Sequence, residues 1–132
     1  MLQSAEILLI EELYSHPSII GKYVRITGAL DFYDNITNTA KCTHKDRCIY
    51  IDMELADAKS LSPSCQCQCL GQICSGFENG YQKTFPGDIK PQFYLKAKIA
   101  RNVDGLDMEL FEHAIMTRRA FMEEHFANKS TT

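Results

Sequence analysis

Residues 23–34, YVRITGALDFYD, limit the possible folds more than any other segment of this chain. Val24, Ile26, Leu30 and Phe32 fall on one side of an extended backbone, and Tyr23, Arg25, Thr27, Asp31 and Tyr33 fall on the other. That period of two predicts a long, half-buried strand. Gly28 sits on the apolar side at its middle. A strand lacking a side chain there can bend sharply without crowding the interior, as the first strand of a small closed sheet must.

Four further stretches continue the pattern. After the turn signal Asp34-Asn35, residues 38–43 form a short polar strand. The hairpin His44-Lys45-Asp46 then leads into residues 47–53, RCIYIDM, with Ile49, Ile51 and Met53 inward, so a three-strand meander is expected. Residues 55–62 read as a connector of weak helical character stopped by Pro63. In residues 65–73, CQCQCLGQI, Cys65, Cys67 and Cys69 alternate with Gln66 and Gln68, giving a fourth strand. Residues 74–91 contain Gly76, Gly80, Pro86, Gly87 and Pro91 and read as a long loop or loose hairpin. Residues 92–102 set Phe93, Leu95, Ala97 and Ile99 against Tyr94, Lys96 and Lys98, a fifth strand. From Asp107, a suitable N-cap, the period becomes 3.6 and predicts a helix over residues 107–126. The fold class is therefore all-β with a C-terminal helix: a five-stranded OB-fold barrel. Residues 1–127 are expected to form its single domain and residues 128–132 a flexible tail.

Composition narrows the function. With 132 residues, 45% hydrophobic and 23% charged, the chain has the balance of one soluble globular domain. It is long enough to build a core without metals or disulfides. The first fifteen residues lack a basic leader and hold one four-residue apolar run, so neither a signal peptide nor a membrane span is predicted, and the expected setting is intracellular. In that setting six cysteines are free thiols or ligands rather than bridges. The net charge of −3 argues against binding nucleic acid by bulk electrostatics, so any such contact is local or shared with a partner.

His16, His44, His113 and His125 stand outside any recognisable catalytic motif, and no nucleophile elbow, Walker loop or paired-carboxylate signature occurs, so no enzyme is expected. Nor is a cofactor. Cys42, His44, Cys48 and Cys67 are weak zinc candidates; thiols at alternate strand positions lie about 6.6 Å apart, too far for more than one or two of them to share an ion. Cysteine as a small buried hydrophobe is the simpler reading. For nucleic acid, Arg25, Tyr33, Arg47, Tyr50, Lys96 and Lys98 supply aromatic platforms and cations on the outer side of the sheet. The apolar residues of the final helix spread over an arc of about 160° at 100° per residue. That is wider than one contact with a small barrel requires and leaves an edge for another protein.

Three segments carry a resemblance: GKYVRITGALDFYD (21–34), CLGQI (69–73) and NVDGLDMELFEHAIMTRRAF (102–121). In this order they are similar to the bent first strand, the fourth-strand turn and the step into the C-terminal helix of the smallest subunit of the trimeric telomeric CST complex. The resemblance implies a non-catalytic OB-fold subunit in the nucleus, at telomeres. It would pair with the N-terminal OB domain of the middle CST subunit, assemble with the large subunit, engage single-stranded telomeric DNA as part of the complex, and indirectly support fill-in by polymerase α-primase; no membrane role is implied. The small subunit of replication protein A and a zinc-stabilised single-strand-binding module are the alternatives. Carried over by position, the partner-contacting aromatic falls on Phe121, where relatives often have tyrosine, and a basic contact falls on His125. The partner set is then Leu110, Ala114, Arg118, Phe121, Met122 and His125, with Met108, Ile115 and the same Met122 on the edge of the arc nearer the barrel. The thiol-rich fourth strand and the long 74–91 connection depart from the family pattern.

Overall fold

The computed structural model describes residues 5–130, with side chains through Glu124. The chain runs β1 (Glu6–Ile7), α1 (Ile10–Leu13), β2 (Tyr23–Asp34), β3 (Thr39–His44), β4 (Arg47–Asp52), β5 (Gln66–Ser75), β6 (Phe77–Glu78), β7 (Tyr81–Gln82), β8 (Phe93–Asn102) and α2 (Met108–Ser130). Strands β2-β3-β4-β8-β5 neighbour one another in that order, and β2 pairs again with β5 to close a five-stranded barrel. The five predicted strands are these five. The parallel β4–β8 pairing, Ile51 opposite Leu95, joins two antiparallel sets.

The bend in β2 is what allows closure. From Tyr23 to Ala29 the strand pairs with β5, and from Ala29 onward with β3, so one strand belongs to two sheets at once. At Gly28 a Cβ would stand 2.6 Å from the Thr43 carbonyl oxygen and 2.8 Å from Ile10 Cδ1. A second close approach occurs where the β5–β8 register shifts between Leu70 and Gly71. There a Cβ on Gly71 would lie 2.1 Å from the Lys96 carbonyl oxygen, so only glycine fits.

A bulge between Leu30 and Phe32 changes the assignment of faces in β2. Beyond it, Tyr33 packs against the core instead of projecting outward as the simple alternation predicts. Thr27, on the outer side, is nonetheless buried, and its Oγ1 accepts a hydrogen bond from Gln68 Nε2 at 3.2 Å. The β5–β8 register shift does the same to β8: beyond Ala97 the faces swap, so Ile99, expected on the inner side, is 54% exposed and Ala100 is buried. Elsewhere the interior is the predicted one, with Val24, Ile26, Ile49, Ile51, Ile73 and Leu95 at 1% exposure or less.

Other departures lie outside the strands. Strand β1 runs parallel to β2, and α1 packs against β2, β3 and β4, sending Ile10 and Leu13 into the core. The apolar run ILLI therefore serves as an N-terminal plug. Residues 55–62 form turns rather than a helix. Within the 74–91 connection, β6 and β7 make a small hairpin, and Phe85 bridges to Ile89. Helix α2 runs to Ser130, past the predicted end near residue 126 and into the segment expected to be a tail. Among the described residues no helix is long and apolar enough to cross a membrane.

Candidate partner and nucleic-acid interfaces

Helix α2 begins at a glycine turn, Gly105 at φ +92°, and is capped where the Leu110 N–H donates to Asp107 Oδ1 at 3.2 Å. Its barrel side is half apolar and half ionic. Ile115 is 9% exposed, and Met108 and Phe111 are half-buried beside it. Glu112 and Arg119 flank this strip. Arg119 donates to the Ile7 carbonyl at 2.6 Å and pairs with Glu12 of α1. Glu112 Oε1 lies 2.9 Å from His44 Nε2 and 3.3 Å from Lys45 Nζ, and His44 Nδ1 is hydrogen-bonded to Glu11 at 2.9 Å. For Glu11, burial raises the carboxyl pKa, but the His44 hydrogen bond, its own backbone N–H and the charges of His44 and Lys45 outweigh it and hold the group low.

The flank of α2 adjoining this strip is apolar and exposed. Leu110 and Phe121 are each 65% exposed, Met116 46% and Met122 41%, and Ala114 and Arg118 are also exposed. Met122, two turns after Ile115, lies on the same edge of the helix as Ile115 and Phe111. His125 lies outside the described side chains. Between α2 and β1 a cleft of about 770 Å³ opens, lined by Ile7, Phe111, Ala114, Ile115 and Met122 among others.

The cationic and aromatic candidates fall into separate groups on the barrel. Tyr50 of β4 and Tyr94 of β8 stand at neighbouring positions of the parallel pair, and Phe85 packs between them, with ring centroids 5.3 and 5.7 Å away. Lys41 lies over Tyr50 at 5.5 Å, and Lys83 lies over Phe85 and Tyr94 while pairing with Asp52 at 3.4 Å. Burial, then the neighbouring Cys74 thiol and Asp52 carboxylate, push the Tyr94 phenol up to about 12. Lys96, half-buried on β8, sits between Asp52 of β4 and Gln72 of β5. Lys98 is elsewhere, over the Tyr23 ring at 4.8 Å, and Arg25 is half-buried on β2. Arg47 covers the ring of Tyr14, whose hydroxyl donates to the Cys48 carbonyl. Of the six candidates, Tyr50 joins an aromatic cluster and Tyr33 turns toward the core, so they do not form one surface.

The suggested zinc set is not assembled either. Cys42 points into the barrel and meets Cys67, whereas His44 is held between Glu11 and Glu112, and Cys48 is half-buried beside Tyr14.

A family model described as a telomere-capping, CST complex subunit matches residues 1–125. The chain belongs to that family. No curated protein matches the sequence. Among solved structures, the telomere-capping protein Ten1 of Saccharomyces pombe superposes with a TM-score of 0.65 at 12% identity, covering 89% of this chain and 99% of that one. A chain of the S. pombe Stn1–Ten1 complex superposes equally well, covering 89% and 94%. The hypothetical protein YgiW of Escherichia coli shares the fold at a TM-score of 0.54 and 12% identity, covering 76% and 94%. At such identities the superpositions speak to the fold alone; it is the family match that makes this barrel a telomere-capping subunit. Sequence reading missed Phe85 and Lys83 of the aromatic cluster, because their positions depend on how the 74–91 connection folds back, and Tyr14, which the N-terminal segment brings against Phe93 and Arg47. It also missed the ionic anchors Glu112 and Arg119, which a helical wheel assigns to the solvent side.

Proposed function

We propose that this chain is a non-catalytic subunit of a CST complex, in the nucleus at telomeres, and that it binds the N-terminal OB domain of the middle subunit through the outer side of α2. The observation that carries the reading is the exposed apolar flank of that helix, with Leu110 and Phe121 each 65% exposed beside a strip already anchored to the barrel. Aromatic and methionine side chains of this kind are what protein interfaces favour at their centres. Of its solved relatives, one was determined as a Stn1–Ten1 complex, which supports the same kind of partner here. The partner set is Leu110, Ala114, Arg118, Phe121 and Met122, with His125 on the following turn.

Single-stranded telomeric DNA is engaged by the assembled complex, with Tyr50, Arg47, Lys96, Lys98 and Arg25 contributing local contacts; a net charge of −3 gives the lone chain little long-range attraction for phosphate. In that complex, with the large subunit, the chain supports end protection and C-strand fill-in by polymerase α-primase. Co-expression with a middle-subunit OB domain tests the reading: a stable one-to-one complex is expected. Phe121→Asp should abolish it while the barrel of the isolated chain stays folded. A chain that stays monomeric beside that domain, or a Phe121→Asp variant that still binds, would refute it.

A further inference from the structure

Three thiols meet inside the barrel, away from both surfaces described above. Cys42 of β3 and Cys67 and Cys69 of β5 are each at most 1% exposed. Their sulfur atoms all lie within 4.8 Å of one another, and Cys42 Sγ is 2.7 Å from Cys67 Sγ. The two strands are not neighbours here. Strand β2 passes between them, with Gly28 opposite Cys67 and Leu30 opposite Cys42, so the thiols converge across the inside of its bend.

Packing alone does not account for this convergence. A buried thiol behaves as a small hydrophobe and a weak donor that needs no polar partner. Three sulfurs at ligand distance are instead the donor set of a soft cation. The other cluster of ligand atoms, Glu11, His44 and Glu112, differs in that Lys45 already supplies its positive charge at 3.3 Å from Glu112.

We propose that Cys42, Cys67 and Cys69 hold one thiophilic d10 cation, copper(I) or zinc(II), in a three-sulfur site inside the barrel. With metal–sulfur bonds of about 2.3 Å, a trigonal site needs its sulfurs about 4 Å apart. Cys42 and Cys67 reach that spacing by moving apart by about 1 Å. Cys65 is also inward, but it and Cys69 are four residues apart on an extended segment, about 13 Å, so both cannot ligate one ion. Three ligands suit copper(I) better than zinc(II), which ordinarily takes four. Ligation displaces thiol protons, so affinity falls as the pH is lowered. A bound ion would also tie β3 to β5 across β2.

The test uses the full chain, purified reduced and without chelator, then titrated anaerobically with copper(I) or with zinc(II) against a competing chromogenic chelator. One ion per chain is expected, with a higher melting temperature and an X-ray absorption spectrum showing a sulfur-only shell; the tighter-binding ion identifies the source. Cys67→Ser should lose the ion, and Cys74→Ser should keep it. Should Cys67→Ser fail to fold, the absorption spectrum of the unaltered chain decides by itself. An empty site in both titrations, nitrogen or oxygen ligands in the shell, retention of the ion by a folded Cys67→Ser variant, or a Cys42–Cys67 disulfide found in its place would each overturn the proposal.

Discussion

Replacing Gly28 with alanine sets two effects against each other, and the structure decides between them. On local grounds the change should help, because glycine in a strand interior costs roughly 0.5–1 kcal/mol relative to alanine. The added methyl, however, would stand 2.6 Å from the Thr43 carbonyl oxygen and 2.8 Å from Ile10 Cδ1. The Ile10 tip can rotate away, but the Thr43 oxygen belongs to the backbone of β3 and moves only if that strand moves. Overpacking of this kind costs about 1–3 kcal/mol. The net loss is then up to about 2.5 kcal/mol, centred at about 1 kcal/mol, once the conformational gain is subtracted. For a domain of this size a loss of about 1 kcal/mol corresponds to a melting temperature lower by roughly 3–5 °C. Thermal unfolding followed by circular dichroism measures it. Adding Ile10→Ala removes one of the two obstacles, so the double variant should be less destabilised than the sum of the single changes, a coupling that a double-mutant cycle reads directly. A Gly28→Ala variant more stable than the parent chain would refute the idea that the bend depends on an absent side chain.

Three further outcomes are expected. Glu112→Ala should cost about 1–2 kcal/mol by removing the partner of His44 and Lys45, and should speed amide hydrogen exchange in α2 more than in the barrel strands. Because Glu11 is held below its ordinary pKa, its contribution is complete above the normal carboxylate range and disappears as the pH falls through that range; Glu11→Gln should flatten this part of the stability–pH curve, read from denaturant midpoints between pH 3 and 7. Phe85→Ala empties the space between Tyr50 and Tyr94 and should cost about 3 kcal/mol, with faster proteolysis of the 83–91 segment than of the strands.

The barrel was legible because its strands obey a period of two and its central glycine falls on the inner side. What periodicity misses is whatever interrupts it. One extra residue near Asp31 in β2 turns Tyr33 toward the core, and no feature of YVRITGALDFYD marks the bulge. The N-terminal plug was hidden for a different reason: a four-residue helix has too few turns to show a period, although Ile10 and Leu13 are among the most buried side chains. On α2 the wheel placed the apolar arc correctly but could not foresee that Glu112 and Arg119 would reach back to the barrel, because their partners His44, Lys45, Glu12 and Ile7 are distant in sequence. The inward thiols of β5 followed from alternation, whereas their meeting with Cys42 needed the curvature of the closed sheet.

The two-residue strand β1 has a consequence for how this molecule avoids sticking to itself. An open sheet invites stacking by any chain with spare main-chain donors and acceptors. Here, among the described residues, the rim next to β2 is occupied by only Glu6 and Ile7, and the Ile7 carbonyl already accepts from the Arg119 guanidinium. So short a border, partly spoken for, is a poor template for fibre-like growth, and it leaves assembly to side chains that can discriminate between partners.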